Sequence, residues 1–152
     1  MKALIQRVSQ AAVLVGDSVI GEIGRGLVVL VGIREGDVES AAQLLARKIV
    51  NLRIFEDNEQ KLNLSALDVK AQILAISQFT LYANCRKGRR PSFVSAARPE
   101  SSLPLYEKFV RFLKESGLEI SQGEFGAHML VKIFNDGPVT ILLDSDESQD
   151  HA

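Results

Sequence analysis

The chain has one cysteine, two histidines, four prolines and no surplus of either charge, and each scarcity removes a class of function. Cys85 alone can form neither an internal disulfide nor a multi-cysteine zinc site, and as a lone loop cysteine it reads as incidental. His128 and His151 lie far apart and show no ligand spacing of the His-Glu-x-x-His kind, so no metal and no cofactor are expected. No Gly-x-Ser-x-Gly elbow surrounds Ser77, and His151 stands in the terminal segment, which argues against a Ser-His-Asp triad. With 18 basic and 19 acidic residues the net charge is −1, so the chain lacks the global basicity of many nucleic-acid binders and any contact with a polyanion must be local. The longest apolar runs, such as Gly26-Leu27-Val28-Val29-Leu30-Val31-Gly32, fall well short of the roughly 18 residues of a membrane span. No cleavable signal pattern opens the chain, and a cytoplasmic location is expected.

What is present suits one domain. At 152 residues, 46% hydrophobic and 24% charged, the chain can bury a substantial core, and its prolines and glycines are scattered rather than gathered in a linker. Lys2 to Val15 reads as a long strand, turned back by Gly16-Asp17 into Ser18 to Ile23, and Leu27 to Val31 as a strand buried on both faces. Asp37 is a candidate N-cap for a helix to about Val50, with Val38, Ala41, Ala42, Leu45 and Ile49 at helical spacing. Arg53-Ile54-Phe55 looks like a strand and Ala71 to Leu81 like another. A second helix should start at Ser101 or Ser102, hold Pro104 in its first turn, bury Leu105, Phe109, Phe112 and Leu113, and stop at Gly117. Glu119 to Gln122, Met129 to Phe134 and Val139 to Leu143 complete the strands, the last two forming a hairpin. The tail from Asp144 to Ala152 is acidic and nearly free of apolar residues, a composition that favours disorder.

Two short segments stand out. Asn135-Asp136-Gly137-Pro138-Val139-Thr140 joins apolar runs with residues that permit close approach and lock φ, and its plain reading is a hairpin turn. Ser77-Gln78-Phe79-Thr80-Leu81 ends the most apolar mid-chain strand, and alone would be a strand end whose hydroxyls satisfy local backbone. Together, in order with Ala3-Leu4-Ile5-Gln6-Arg7-Val8, Arg53-Ile54-Phe55 and Arg90-Pro91-Ser92-Phe93, they resemble the paired signatures of the D-aminoacyl-tRNA deacylases from Met1 to about Leu143.

That resemblance implies a mixed α/β domain over residues 1–143, with largely antiparallel, barrel-like strands and two main helices. It further implies a homodimer with sites at the subunit interface. The activity implied is hydrolysis of the ester of D-aminoacyl-tRNA and mischarged glycyl-tRNA, with L-aminoacyl-tRNA rejected by a cis Gly137-Pro138 loop entering the partner's pocket. Thr80 takes the catalytic position; Ser77, Gln78, Phe79, Leu81, Met129 and Arg7 are implied substrate-binding residues, with Phe125 also shaping the site, and Gly137 and Pro138 the chirality filter. His128 stands where many relatives carry a different polar residue and is assigned no catalytic role. Arg86, Lys87, Arg89 and Arg90 concentrate positive charge that suits tRNA phosphates or, more plainly, solvent. Whether the Thr80 hydroxyl attacks or the ribose hydroxyl of the substrate assists stays open, with the second favoured because the chain has so few bases. Two other classes compete: an RNA-binding module using the basic loop and Phe93, and a small-molecule ester hydrolase.

Overall fold

A computed structural model describes residues 1–147. Its organising element is β1 (Lys2–Val15), whose first half pairs antiparallel with β3 (Gly26–Gly32) and whose second half pairs with β2 (Ser18–Ile23) along the same edge. Along its other edge runs β8 (Leu130–Asp144), also antiparallel. Beyond β3 the sheet turns parallel, through β6 (Gln72–Ser77) and then β7 (Ile120–Gln122). β7 bends back towards β2, where the Ser121 hydroxyl donates to the Glu22 carbonyl at 3.2 Å, so the sheet is a nearly closed barrel. The expected mixed α/β fold is therefore present, with two parallel pairings inside a mainly antiparallel sheet.

The two faces of the sheet build two cores. Val8, Ala11, Val13, Val28, Leu74 and Ile76 fill the barrel interior. On the outer face Ile5, Leu27, Val29 and Ile73 meet Leu45 and Ile49 of α1 (Glu39–Asn51) and Phe109 and Leu113 of α3 (Pro99–Glu115). β3 and β6 thus bury both sides, as continuous aliphatic runs require. Among the described residues no helix is long and apolar enough to cross a membrane.

Several element boundaries differ from expectation for identifiable reasons. Val38, not Asp37, caps α1 without a side-chain bond, because the Asp37 carboxylate accepts from the Arg34 amide at 2.7 Å and from the Met1 amine at 2.9 Å. α3 begins at Pro99, whose fixed φ suits a first helical position, rather than at Ser101 or Ser102. Pro104 therefore lies inside the helix, on its exposed face, where water can reach the carbonyl it fails to bond. Phe112 of the expected stripe is only partly buried, whereas Tyr106 and Val110 are buried. The Arg53-to-Phe55 strand is reduced to β4 (Phe55–Glu56), paired with β5 (Leu62–Leu64). A further short helix, α2 (Ala66–Val69), is closed by a Ser65–Asp68 capping box. The expected acidic tail starts inside the fold: Asp144 pairs with Lys2, and the buried Ser145 bonds Met1 through both its amide and its hydroxyl. Residues 148–152 of that tail lie outside the described residues.

The largest departure concerns β8. Both of its arms pair antiparallel with β1, Leu130 to Asn135 against Leu14 to Val8 and Thr140 to Asp144 against Gln6 to Lys2. The chain keeps one direction throughout, so Asp136 to Val139 is an excursion from a single strand and not a hairpin turn. Where the excursion occurs, the strand pair passes from one core to the other: Val131 and Ile133 pack into the barrel, Val139, Ile141 and Leu143 under the helices.

Burial sets the expected cost of two substitutions in α3. The Tyr106 hydroxyl donates to the Ala75 carbonyl at 3.0 Å, but that oxygen also accepts from the Gly123 amide. Tyr106→Phe should therefore cost only about 1 kcal/mol in urea unfolding, whereas Phe109→Ala, which empties a fully buried site, should cost about 3–5 kcal/mol.

Candidate active site

A cavity of about 590 Å³ opens beyond the carboxyl ends of the parallel strands β3 and β6. Ser77, Gln78 and Phe79 form one wall, Phe125, His128 and Met129 also line it, and Arg98, the residue before α3, and Ser102 in its first turn complete it. A second hollow of the same volume, near Gln10, Glu22 and Glu119, is lined more by polar than apolar groups and lies at the other end of β6.

The first wall is shaped by the end of β6. The Gln78 amide still bonds the Val31 carbonyl at 2.8 Å, but Ala71 to Leu81 is not one strand: Phe79–Tyr82 coils into a 3-10 turn. Gly32 explains the packing. A Cβ there would stand 3.0 Å from Leu81 Cβ and 3.1 Å from the Gln78 carbonyl, so the turn rests directly on the end of β3. Phe79 and Thr80 occupy the first positions of the turn, and neither amide donates to an acceptor among the described residues. The Thr80 hydroxyl accepts from Gln78 Nε2 at 2.5 Å. An amide donor cannot take a proton, so this contact orients the hydroxyl without making it a stronger nucleophile.

Ser77, Gln78, Phe79, Phe125 and Met129 therefore converge on one cavity. Thr80 is exposed beside it, and Leu81 faces a different hollow with Lys2 and Tyr82. Arg86, Lys87, Arg89 and Arg90 are exposed on the loop that follows. Arg98 falls outside every motif; its one sequence signal is its place immediately before Pro99, at a helix start.

Gly137 and Pro138 do not line the cavity of their own chain. They sit on an exposed projection of β8, joined by a cis peptide, with Arg7 beneath them. Arg7 is 6% exposed and lies opposite the excursion, between Gln6 and Val8. Its Nε donates to the Asp136 carbonyl at 3.1 Å and its Nη1 to the Ile54 carbonyl at 2.9 Å. The carboxylates of Glu56 and Asp136 approach at 3.7 and 3.8 Å but are more than half exposed, so water screens them and the two carbonyls hold the group. Gly137 adopts φ +129, and a Cβ on it would meet Arg7 Nη2 at 3.0 Å and Val139 Cγ2 at 2.9 Å. Asn135 closes the base, its carboxamide oxygen accepting from the Val139 amide and its nitrogen donating to the Thr140 hydroxyl at 2.9 Å.

This fold is shared with a solved structure described as a probable eukaryotic D-amino acid tRNA deacylase, 18% identical, with a TM-score of 0.81 over 93% of this chain and 97% of that one. Sequence narrows the class. The family model for D-Tyr-tRNA(Tyr) deacylase matches residues 4–144. The D-aminoacyl-tRNA deacylase of Halothermothrix orenii is 56% identical over 97% of this chain and 99% of its own, and that of Brevibacillus brevis 53% identical over 95% and 100%. The solved c-Myc DNA Unwinding Element Binding Protein is 44% identical, with a TM-score of 0.89 over 95% of this chain and 98% of that one. The chain belongs to the D-Tyr-tRNA(Tyr) deacylase family, a family of hydrolases.

The buried fork of Arg7 generates a test. Arg7→Lys keeps the charge but cannot donate to both carbonyls, and should lower urea stability by about 1–3 kcal/mol; Arg7→Ala, which leaves both acceptors unpaired, should lower it further.

Proposed function

We propose that the chain hydrolyses the ester of D-aminoacyl-tRNA and of glycyl-tRNA in the cytoplasm and rejects L-aminoacyl-tRNA, working as a homodimer. The observation that carries this reading is the pair of amides, Phe79 and Thr80, that have no partner among the described residues and stand at the edge of a cavity whose turn is fixed against β3. An aminoacyl ester is already reactive, and its carbonyl oxygen gains negative charge when water attacks. Two fixed N–H groups stabilise that charge without a protein nucleophile. The vicinal ribose hydroxyl can relay the proton from the attacking water to the departing ribose oxygen as the acyl–oxygen bond breaks, which suits a Thr80 hydroxyl bonded to an amide rather than to a base.

Chirality is read in this scheme by exclusion. Main-chain carbonyls of the Gly137–Pro138 loop stand against the substrate α-carbon and leave room for hydrogen on one side only, so an L side chain collides, a D side chain points away, and glycine enters. The loop projects from its own chain without lining its own cavity, which supports its entry into the cavity of a second copy. The outer edge of β8 has no strand partner among the described residues, and Leu130, Phe134 and Leu142 are each more than half exposed along it, as a subunit contact would use. Arg86, Lys87, Arg89 and Arg90 lie on the loop that leaves the 3-10 turn, where they would meet the acceptor-end phosphates. The same loop would serve a non-catalytic nucleic-acid binder, which would bind charged tRNA without releasing its amino acid.

The deciding assay follows deacylation of D-Tyr-tRNA, L-Tyr-tRNA and Gly-tRNA by the purified protein. The first and third should be cleaved and the second spared; equal rates on both mirror forms would end the proposal. Gly137→Ala must displace Val139 or Arg7, and should lower the ratio of D to L cleavage by at least about tenfold, since errors of about 1 Å in positioning have effects of that order or larger. Replacing the four loop cations with alanine should raise KM for D-Tyr-tRNA and flatten its dependence on salt, by about one unit of log–log slope for each phosphate that is no longer neutralised.

A further inference from the structure

We propose that Phe79 and Phe93 form a platform on which the nucleotide preceding the aminoacylated one stacks, in the single-stranded 3′ tail of the substrate. The inference rests on the function proposed above and extends it from the reacting ester to the next base.

The two rings stand 5.1 Å apart at 72°, and both border the mouth of the cavity. They are large and open to solvent, Phe79 54% and Phe93 39% exposed, with Val94 beside them 90% exposed. Phe93 is not a loose loop residue. Asn84 and Ser92 exchange two backbone hydrogen bonds, at 2.7 and 2.9 Å, that close the base of the basic loop, and the Phe93 carbonyl accepts from the Ala96 amide at 3.0 Å. The rings meet at nearly a right angle, so a base stacked on the face of one would turn its own edge toward the other ring and be limited in how far it could slide.

The surroundings decide which partner fits. From Tyr82 to Pro99 the chain contains Arg86, Lys87, Arg89, Arg90 and Arg98 and no carboxylate. No ion pair engages Arg86, Lys87, Arg89 or Arg90 among the described residues, so their charge is available to a ligand. Flat apolar faces joined by anionic links match exposed rings rimmed with cations, and single-stranded nucleic acid has that composition. The platform is continuous with the cavity through Phe79, so a chain with its terminal nucleoside in the cavity would bring the preceding base to the rings.

The test compares three D-tyrosyl esters, of adenosine, of the dinucleotide CpA and of full-length tRNA. In the wild-type protein kcat/KM should rise about tenfold or more from the adenosine to the CpA ester, the range of one base–aromatic stack. In Phe93→Leu, which keeps apolar bulk without a ring, the rise should shrink to about twofold or less, and Phe93→Trp should retain it. Each ratio is taken within one variant, so a general loss of folding or of pocket shape cancels. A full rise in Phe93→Leu would overturn the proposal. So would a wild type that gains nothing from the added cytidine while still cleaving D-Tyr-tRNA, the result expected if a second copy of the chain covers the rings. Failure of the wild type to cleave any of the three would instead overturn the function on which the proposal rests.

Discussion

One buried guanidinium reconciles the two demands placed on β8. Its arms must both stay on β1, one facing the barrel interior and one the helices, yet four residues between them leave the ladder. An interruption of that kind exposes backbone groups on both sides, and unpaired buried carbonyls are costly. Arg7 stands at the gap in β1 and reaches one of them, the Asp136 carbonyl on the excursion, together with the Ile54 carbonyl ahead of β4. A rigid planar fork suits the position better than a flexible ammonium, because it ties two separate segments at once. The projecting Gly137–Pro138 loop owes its definition to that tie and to the Asn135 bonds across its base.

The wall of the cavity at the end of β6 takes its shape from the backbone of the 3-10 turn. Phe79 and Thr80 present their amides because the turn begins there and because Gly32 leaves it nothing to climb over. The wall is thus set by backbone packing, with no titrating group required to form it. Backbone donors also fit the composition of the chain, in which histidine is scarce and the only cysteine is exposed on the loop beyond.

Much of this is legible in the sequence, and the failures share one cause. Periodicity locates β1, β2, β3, α1 and the body of α3, since alternation or helical spacing is a local record of which face is buried. The 3-10 turn is hidden because Phe79 and Leu81 continue the apolar pattern of β6 although the ladder partner ends at Gly32. The excursion passes for a hairpin because Asp136-Gly137-Pro138 has the same composition in both, and only pairing with β1, more than a hundred residues away, tells them apart. Arg7 does leave a trace. It shares the parity of Ala3 and Ile5, and a charge at an inward position of a strand calls for buried acceptors. The motif residues are read from resemblance; the structure brings Ser77, Gln78, Phe79 and Met129 to one cavity and leaves Leu81 and Arg7 elsewhere.

The separation of loop and cavity within one chain bears on how selectivity would be maintained. A side chain used as a chiral gauge can rotate among staggered positions, so its edge is uncertain by much of its own length. Carbonyls on a stapled excursion have less freedom: their positions move only if Arg7, Asn135 or the β1–β8 pairing moves, and Arg7 is buried while the pairing runs along both cores. A methyl-sized difference in an apolar pocket discriminates only by about 10–200-fold, whereas a steric wall that cannot yield is not bound by that limit. In the proposed scheme the same rigidity would leave glycine unopposed, because nothing on its α-carbon would reach the wall. Acceptance of glycine and rejection of L side chains would then follow from one geometric fact, the fixed position of main-chain oxygens on the loop, rather than from two separate recognition devices.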